Sequence, residues 1–212
     1  MELRFSDDFL KVLELSRSEA LRTGWHNITA DHIMLGMLRL DGCSACMVLE
    51  ALGADTALFK EYLDESLFCP EQIPWEERES IHPCESALSL LQHSALEARR
   101  CGAPAVEPLH FLLAVCRMSG TYSHDWLAGQ GLSLRALVEA SGLDWNSYGL
   151  DQPAMAHSST AVMTDQIDSV MPDQIDSVMP DQIGHLPDPD LLAAAIEQRL
   201  REGYTTQNPH VS

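Results

Sequence analysis

Lysine is almost missing: Lys11 and Lys60 are the only two in 212 residues, and 13 basic residues face 32 acidic ones, a formal charge of −19. A surface so acidic repels phosphate backbones, which excludes nucleic acid as the expected partner. Neither lysine sits in a GxxxxGK[ST] loop, so no phosphate-binding P-loop is encoded here. Aromatic residues are scarce at 6%, leaving Leu, Ala, Met and Val to fill the core. That mixture favours helices, where such side chains lose little freedom. No apolar run approaches the roughly 18 residues of a membrane span, and the opening MELRFSDDFLKVLELSRSEA carries charges throughout, unlike a signal peptide. No membrane association and a cytoplasmic location are therefore expected. Six cysteines are too few for a disulfide scaffold of this length and should be reduced there.

What is present is a duplication. Displaced by 78 residues, segment 5–63 falls on segment 83–141 without a gap and with 14 identities. Several are apolar or glycine pairs, such as Leu13 with Leu91, Gly24 with Gly102 and Gly53 with Gly131. Others are polar: Glu19 with Glu97, Arg22 with Arg100, His32 with His110 and Arg39 with Arg117. A repeated fold places its constraints at such positions.

Each copy reads as four helices. Phe5, Phe9, Val12, Leu13 and Ala20 share one helical face, matched by Ala87, Leu90, Leu91 and Ala98. Gly24 and Gly102 suit a left-handed helix end. A second helix begins after Thr29 in copy one and at Pro108 in copy two, and it is apolar most of the way round, as a central helix should be. Third helices are expected around Cys46–Leu52 and Asp125–Gln130, fourth helices near Asp55–Leu67 and Ser133–Ser141. The fold class is all-α, divided as repeat 1 (1–67), a connecting loop (68–80) and repeat 2 (81–149). Residues 150–186, with DQIDSVMP occurring twice in tandem, read as an acidic flexible linker. Residues 187–212 form a tail with a short amphipathic helix over Asp188–Glu202.

Four stretches carry a resemblance: Phe5-Ser6, Ala20–Gly24, Thr29–Leu38 and Val48–Asp55. Together they are similar to the repeat at the N-terminus of Hsp100/Clp unfoldases, with its Thr-Glu-His-Leu-Leu-Leu-Gly-Leu segment and its Val-Leu-x-x-Leu-Gly close. Copy two matches more loosely, and the resemblance covers about residues 1–142. It implies two tandem pseudo-symmetric four-helix repeats forming a non-catalytic protein-binding module without cofactor. Its partners would be Clp/Hsp100 ATPases, Clp protease subunits or their client proteins. Partner- or peptide-binding positions fall by this resemblance at Phe5, Thr29, Asp31 and Glu107. Some members of the family bind phosphorylated arginine through the acid of Thr-Glu-His. Here those positions hold Asp31 and Leu109, so such binding would be one-sided at most. The plainer reading of Asp31 is an acid in the first turn of a helix, favoured by the helix dipole.

Other chemistry is weighed against packing. Cys43-Ser-Ala-Cys46 is a CxxC motif, a redox pair or half a zinc site, and it supports a thiol or metal sensor as an alternative function. The plainer reading is packed thiols, since no second CxxC or HxxxH accompanies it. His32 and His110 recur without a nucleophile motif, and a ring nitrogen bonding nearby backbone explains the recurrence better than catalysis. Asp7, Asp8, Glu14 and Glu19 read as a solvated helix face. Met34, Met37, Met47 and Met118 fall mostly at core positions, and an exposed subset would line an adaptable groove between the copies. A free-standing holdase for unfolded chains is the remaining alternative.

Overall fold

A computed structural model describes residues 4–148 apart from Glu71, together with Ala194 and Gln198, both helical and exposed. The tandem DQIDSVMP repeats, the linker and the rest of the segment expected to form a tail helix lie outside the described residues. Copy one contributes α1 (Asp7–Thr23), α2 (Ala30–Arg39), α3 (Ser44–Ala51) and α4 (Thr56–Leu67). Copy two contributes α5 (Glu85–Arg100), α6 (Pro108–Arg117), α7 (Tyr122–Gly129) and α8 (Leu134–Ala140), followed by one further turn, α9 (Trp145–Tyr148). The third helix of each copy starts earlier than periodicity suggests, because Cys43 and Thr121 take the N-cap positions. The connecting segment is not wholly irregular, since Trp75–Ser80 winds into a 3-10 turn.

The helix ends follow from local chemistry. Ser6 accepts from the Phe9 amide, Asp55 from Ala57 and Leu58, Thr121 from His124 and Ser133 from Ala136, each satisfying N-terminal amides that have no partner within the helix. Gly24 closes α1 at φ 83°, its N–H directed to the carbonyls of Ala20 and Leu21, a conformation that costs a Cβ-bearing residue about 1 kcal/mol or more.

Four two-residue strands supplement the all-helical expectation. β1 (Arg4–Phe5) pairs in parallel with β4 (Ala105–Val106), and β2 (Asn27–Ile28) with β3 (His82–Pro83). Under the 78-residue offset β1 corresponds to β3 and β2 to β4, so the two pairs are one contact made twice. Each ties the entry to the first helix of one copy to the entry to the second helix of the other.

The copies also exchange helices. α3 packs on α6 and α8 of copy two, and α7 packs on α2 and α4 of copy one. Phe59 of α4 stacks flat on Trp126 of α7, centroids 4.0 Å apart and rings inclined by 8°. The central helices α2 and α6 are buried on almost every side, and Phe9 meets Phe111 at 5.9 Å across the middle. One continuous core therefore spans both copies, and each fully buried Phe or Leu contributes about 1.5–3 kcal/mol to it.

Candidate functional site

The second helix of each copy starts with the same unusual device. The Nδ1 of His32 accepts the Thr29 amide at 3.0 Å, and the Nδ1 of His110 accepts the Glu107 amide at 2.9 Å. A histidine thus fills the role that Glu or Gln has in a capping box. With Nδ1 accepting, the proton of His32 lies on Nε2, which donates to Thr23 Oγ1 at 2.9 Å, and that hydroxyl donates to the Glu19 carbonyl at 2.8 Å. Both rings are buried, and burial holds each imidazole neutral by lowering its pKa to about 4, with Arg22 adding to the effect at His32. The recurrence of His32 and His110 is structural.

Glu19 departs from the solvated reading. Asp7 and Asp8 are exposed and Glu14 is half-buried, but Glu19 is fully buried. Its carboxylate accepts from Arg22 Nε at 2.8 Å and from Arg39. Glu97 is equally buried and meets Arg117 at 2.8 Å, Arg100 and the hydroxyl of Tyr148. The charge pattern hid this because Glu19 sits among exposed acids. The signal was in the duplication, where one acid and two arginines recur at unchanged spacing.

Asp31 is also buried, at 5% exposure. Its carboxylate points across the boundary between copies, accepting from the Ser123 amide at 2.8 Å, the Ser123 hydroxyl at 2.5 Å and the Tyr122 amide at 3.2 Å. It therefore caps the N-terminus of α7. Burial raises its pKa, and the three bonds oppose that rise. Thr29 is half-buried, two residues before it. Phe5 and Glu107 are brought together by the β1–β4 pair, which registers Phe5 on Val106. Phe5 is half-buried with its ring edge on Phe9 at 5.3 Å, and Glu107 is exposed. Thr29 occupies the equivalent place beside the β2–β3 pair. The four positions are thus spread over two pseudo-equivalent helix starts, and three of the four side chains reach the surface.

Elsewhere the surface carries bulky apolar side chains, with Phe68 at 73%, Leu58 at 57% and Trp25 at 38% exposure. Trp25 donates its indole N–H to the Leu67 carbonyl at 2.7 Å. Beside it an open groove of about 500 Å³ is lined by Arg22, Ala57, Lys60, Asp64 and Phe68 among others. Of the methionines, Met34 and Met37 are in the core and Met47 is exposed.

The family model of the Clp repeat (R) N-terminal domain matches residues 4–130, which takes in copy one, copy two as far as α7, and both strand pairs. The chain belongs to this family. Among Clp relatives, it is 32% identical over 131 residues to the chaperone protein ClpB of Oceanobacillus iheyensis. It is 34% identical over 131 residues to ClpC/MecB of Bacillus subtilis, named as a negative regulator of genetic competence. Each alignment covers 62% of this chain but 16% of the relative, so the chain corresponds to a small part of those proteins. A chain from preliminary structural investigations of a malarial protein secretion system has the same fold, with TM-score 0.58 at 15% identity, covering 66% of this chain and 92% of that one.

Within this Clp repeat domain, all six cysteines are free thiols. Cys43 is buried and Cys46 half-buried, with the Cys46 thiol donating to the Met37 carbonyl at 3.3 Å. Among the described residues no group of three or more His, Cys, Asp or Glu side chains could hold a metal ion. No single described helix is long and apolar enough to cross a membrane.

Proposed function

We propose that this Clp repeat domain is a non-catalytic, cytoplasmic protein-binding module, an adaptor or regulator of a Clp/Hsp100 unfoldase-protease. It docks on the ATPase or protease subunits, or holds their client peptides. The observation that carries this reading is the family match over residues 4–130, together with the 32% and 34% identities to ClpB and ClpC. The contact surface is assigned to the strand-paired helix starts, where half-buried Phe5 lies beside exposed Glu107 and Thr29 stands at the equivalent place. Asp31, two residues beyond Thr29, acts in this reading by fixing α7 rather than by meeting a guanidinium group from solvent.

A second reading is favoured by the exposed Phe68, Leu58 and Trp25: an independent holdase for unfolded chains. Affinity capture from lysate with the whole chain and with a chain ending at residue 149 distinguishes the two. Recovery of a Clp ATPase or protease by both forms is the expected result. Suppression of client aggregation by the purified chain, with no Clp component captured at low salt, would replace the adaptor with the holdase.

A further inference from the structure

The duplication supplies an internal control for the CxxC motif. In copy two, Thr121 is the N-cap of α7 and its hydroxyl accepts the amide of His124, the third residue of the helix, at 3.0 Å. The equivalents in copy one are Cys43, the N-cap of α3, and Cys46. The capping hydroxyl is thus replaced by the Cys43 thiol, and the residue whose amide it would cap carries a second thiol, at the one place where an N-cap side chain reaches back over the third helical residue. Residues three apart at a helix start have Cα atoms about 5–6 Å apart, within the span a disulfide bridges. The pair is free, with the Cys43 sulfur covered and the Cys46 side chain partly open to solvent.

We propose that Cys43 and Cys46 form a reversible intrachain disulfide, a two-electron thiol switch at the start of α3, with hydrogen peroxide as oxidant. Turned from the Met37 carbonyl to the Cys43 sulfur, the Cys46 thiol proton lowers the Cys43 pKa to about 7 against the opposing effect of burial, and the amides of Cys46 and Ala45 assist. The same hydrogen bond, and after it burial, raise that of Cys46. Cys43 is accordingly the thiolate that attacks. Its sulfur takes one peroxide oxygen, breaking the O–O bond and releasing hydroxide, which leaves as water with a solvent proton. The Cys46 sulfur then attacks the sulfenic sulfur, and the departing hydroxide leaves as a second water, the Cys46 proton balancing it. One peroxide is reduced to two waters as two thiols become one disulfide. The new bond withdraws the Cys46 thiol from the Met37 carbonyl, so the redox state is registered at the junction of α2 with α3, the helix that packs on copy two.

The test is to treat the folded full-length chain with hydrogen peroxide, unfold it in acid and denaturant, alkylate, and map the labels by mass spectrometry. Four of the six cysteines should remain labelled, with Cys43 and Cys46 the missing pair, the unlabelled peptide lighter by two hydrogens, and both sites recovered after dithiothreitol. Cys43→Thr, which installs the capping residue of copy two, should fold normally and leave Cys46 labelled after peroxide. Retention of all six labels, protection centred on other cysteines, or loss of Cys46 labelling in Cys43→Thr would each overturn the proposal.

Discussion

At the residue scale, the side chains that matter most are buried polar ones whose partners lie far away in sequence. Replacing Asp31 with Ala leaves two α7 amides and the Ser123 hydroxyl without their acceptor, and should cost about 1–3 kcal/mol in urea unfolding. Asp31→Asn, which keeps one accepting oxygen, should recover part of that loss. The two glutamates should differ. Arg100 and Arg117 are 25% and 26% exposed, whereas Arg22 and Arg39 are 46% and 42% exposed and Arg22 retains Asp64. Glu97→Ala strands two half-buried guanidinium groups and frees Tyr148, a loss of about 3–5 kcal/mol. Glu19→Ala should cost less, because its arginines can turn to water. The histidines set a pH dependence. Unfolded imidazoles bind protons below about 6.5, whereas the folded rings resist protonation until about pH 4. Stability should therefore be full above pH 6.5 and fall as the pH drops from there towards 4. A His32→Gln, His110→Gln pair, which keeps the capping acceptor without the titration, should flatten that slope in pH-dependent urea melts. The recurring Glu, Arg and His were legible as identities at an offset of 78, but their burial was not. A charged residue on a polar helix face gives no local sign that the next helix of its own copy will bring an arginine against it.

At the scale of elements, the eight helices of the two copies and their order were legible, because apolar periodicity, caps and glycine stops are local, whereas α9 and the 3-10 turn at Trp75–Ser80 were not. The short strands were not, since a parallel pair of two residues needs a partner about 100 residues away for β1 and carries no alternation of its own. Copy one also holds a close helix crossing that copy two relaxes. A Cβ on Gly36 of α2 would lie 2.6 Å from the Val12 carbonyl and 3.0 Å from the Ser16 amide of α1, both backbone atoms. Its equivalent in α6 is Ala114. Gly36→Ala should therefore lower the melting temperature, although alanine gains about 1 kcal/mol of helix propensity over glycine. A rise in melting temperature would show that α1 and α2 can separate as freely as α5 and α6.

At the scale of the molecule, the copies read in sequence as successive units but fold by exchange. α3 completes copy two and α7 completes copy one, and each strand pair joins one copy to the other. A fragment holding residues 1–80 lacks α7, β4 and the Phe111 contact, so it should show no cooperative thermal transition, whereas the chain ending at residue 149 should unfold in one step. The exchange was invisible in the repeat itself, because an offset fixes which positions correspond and says nothing of which copy they touch. In the function proposed above, this double repeat binds Clp machinery through its paired helix starts. This is tested most directly by measuring binding of the purified chain, the chain ending at residue 149, and a Glu107→Lys variant to a purified Clp/Hsp100 ATPase from the same cell. Equal binding by the first two is expected, with at least a tenfold loss for Glu107→Lys against only a small drop in melting temperature, the cost of a cation at the N-cap of α6. Absence of binding at low salt by either wild-type form, or binding that disappears on truncation at 149, would contradict it.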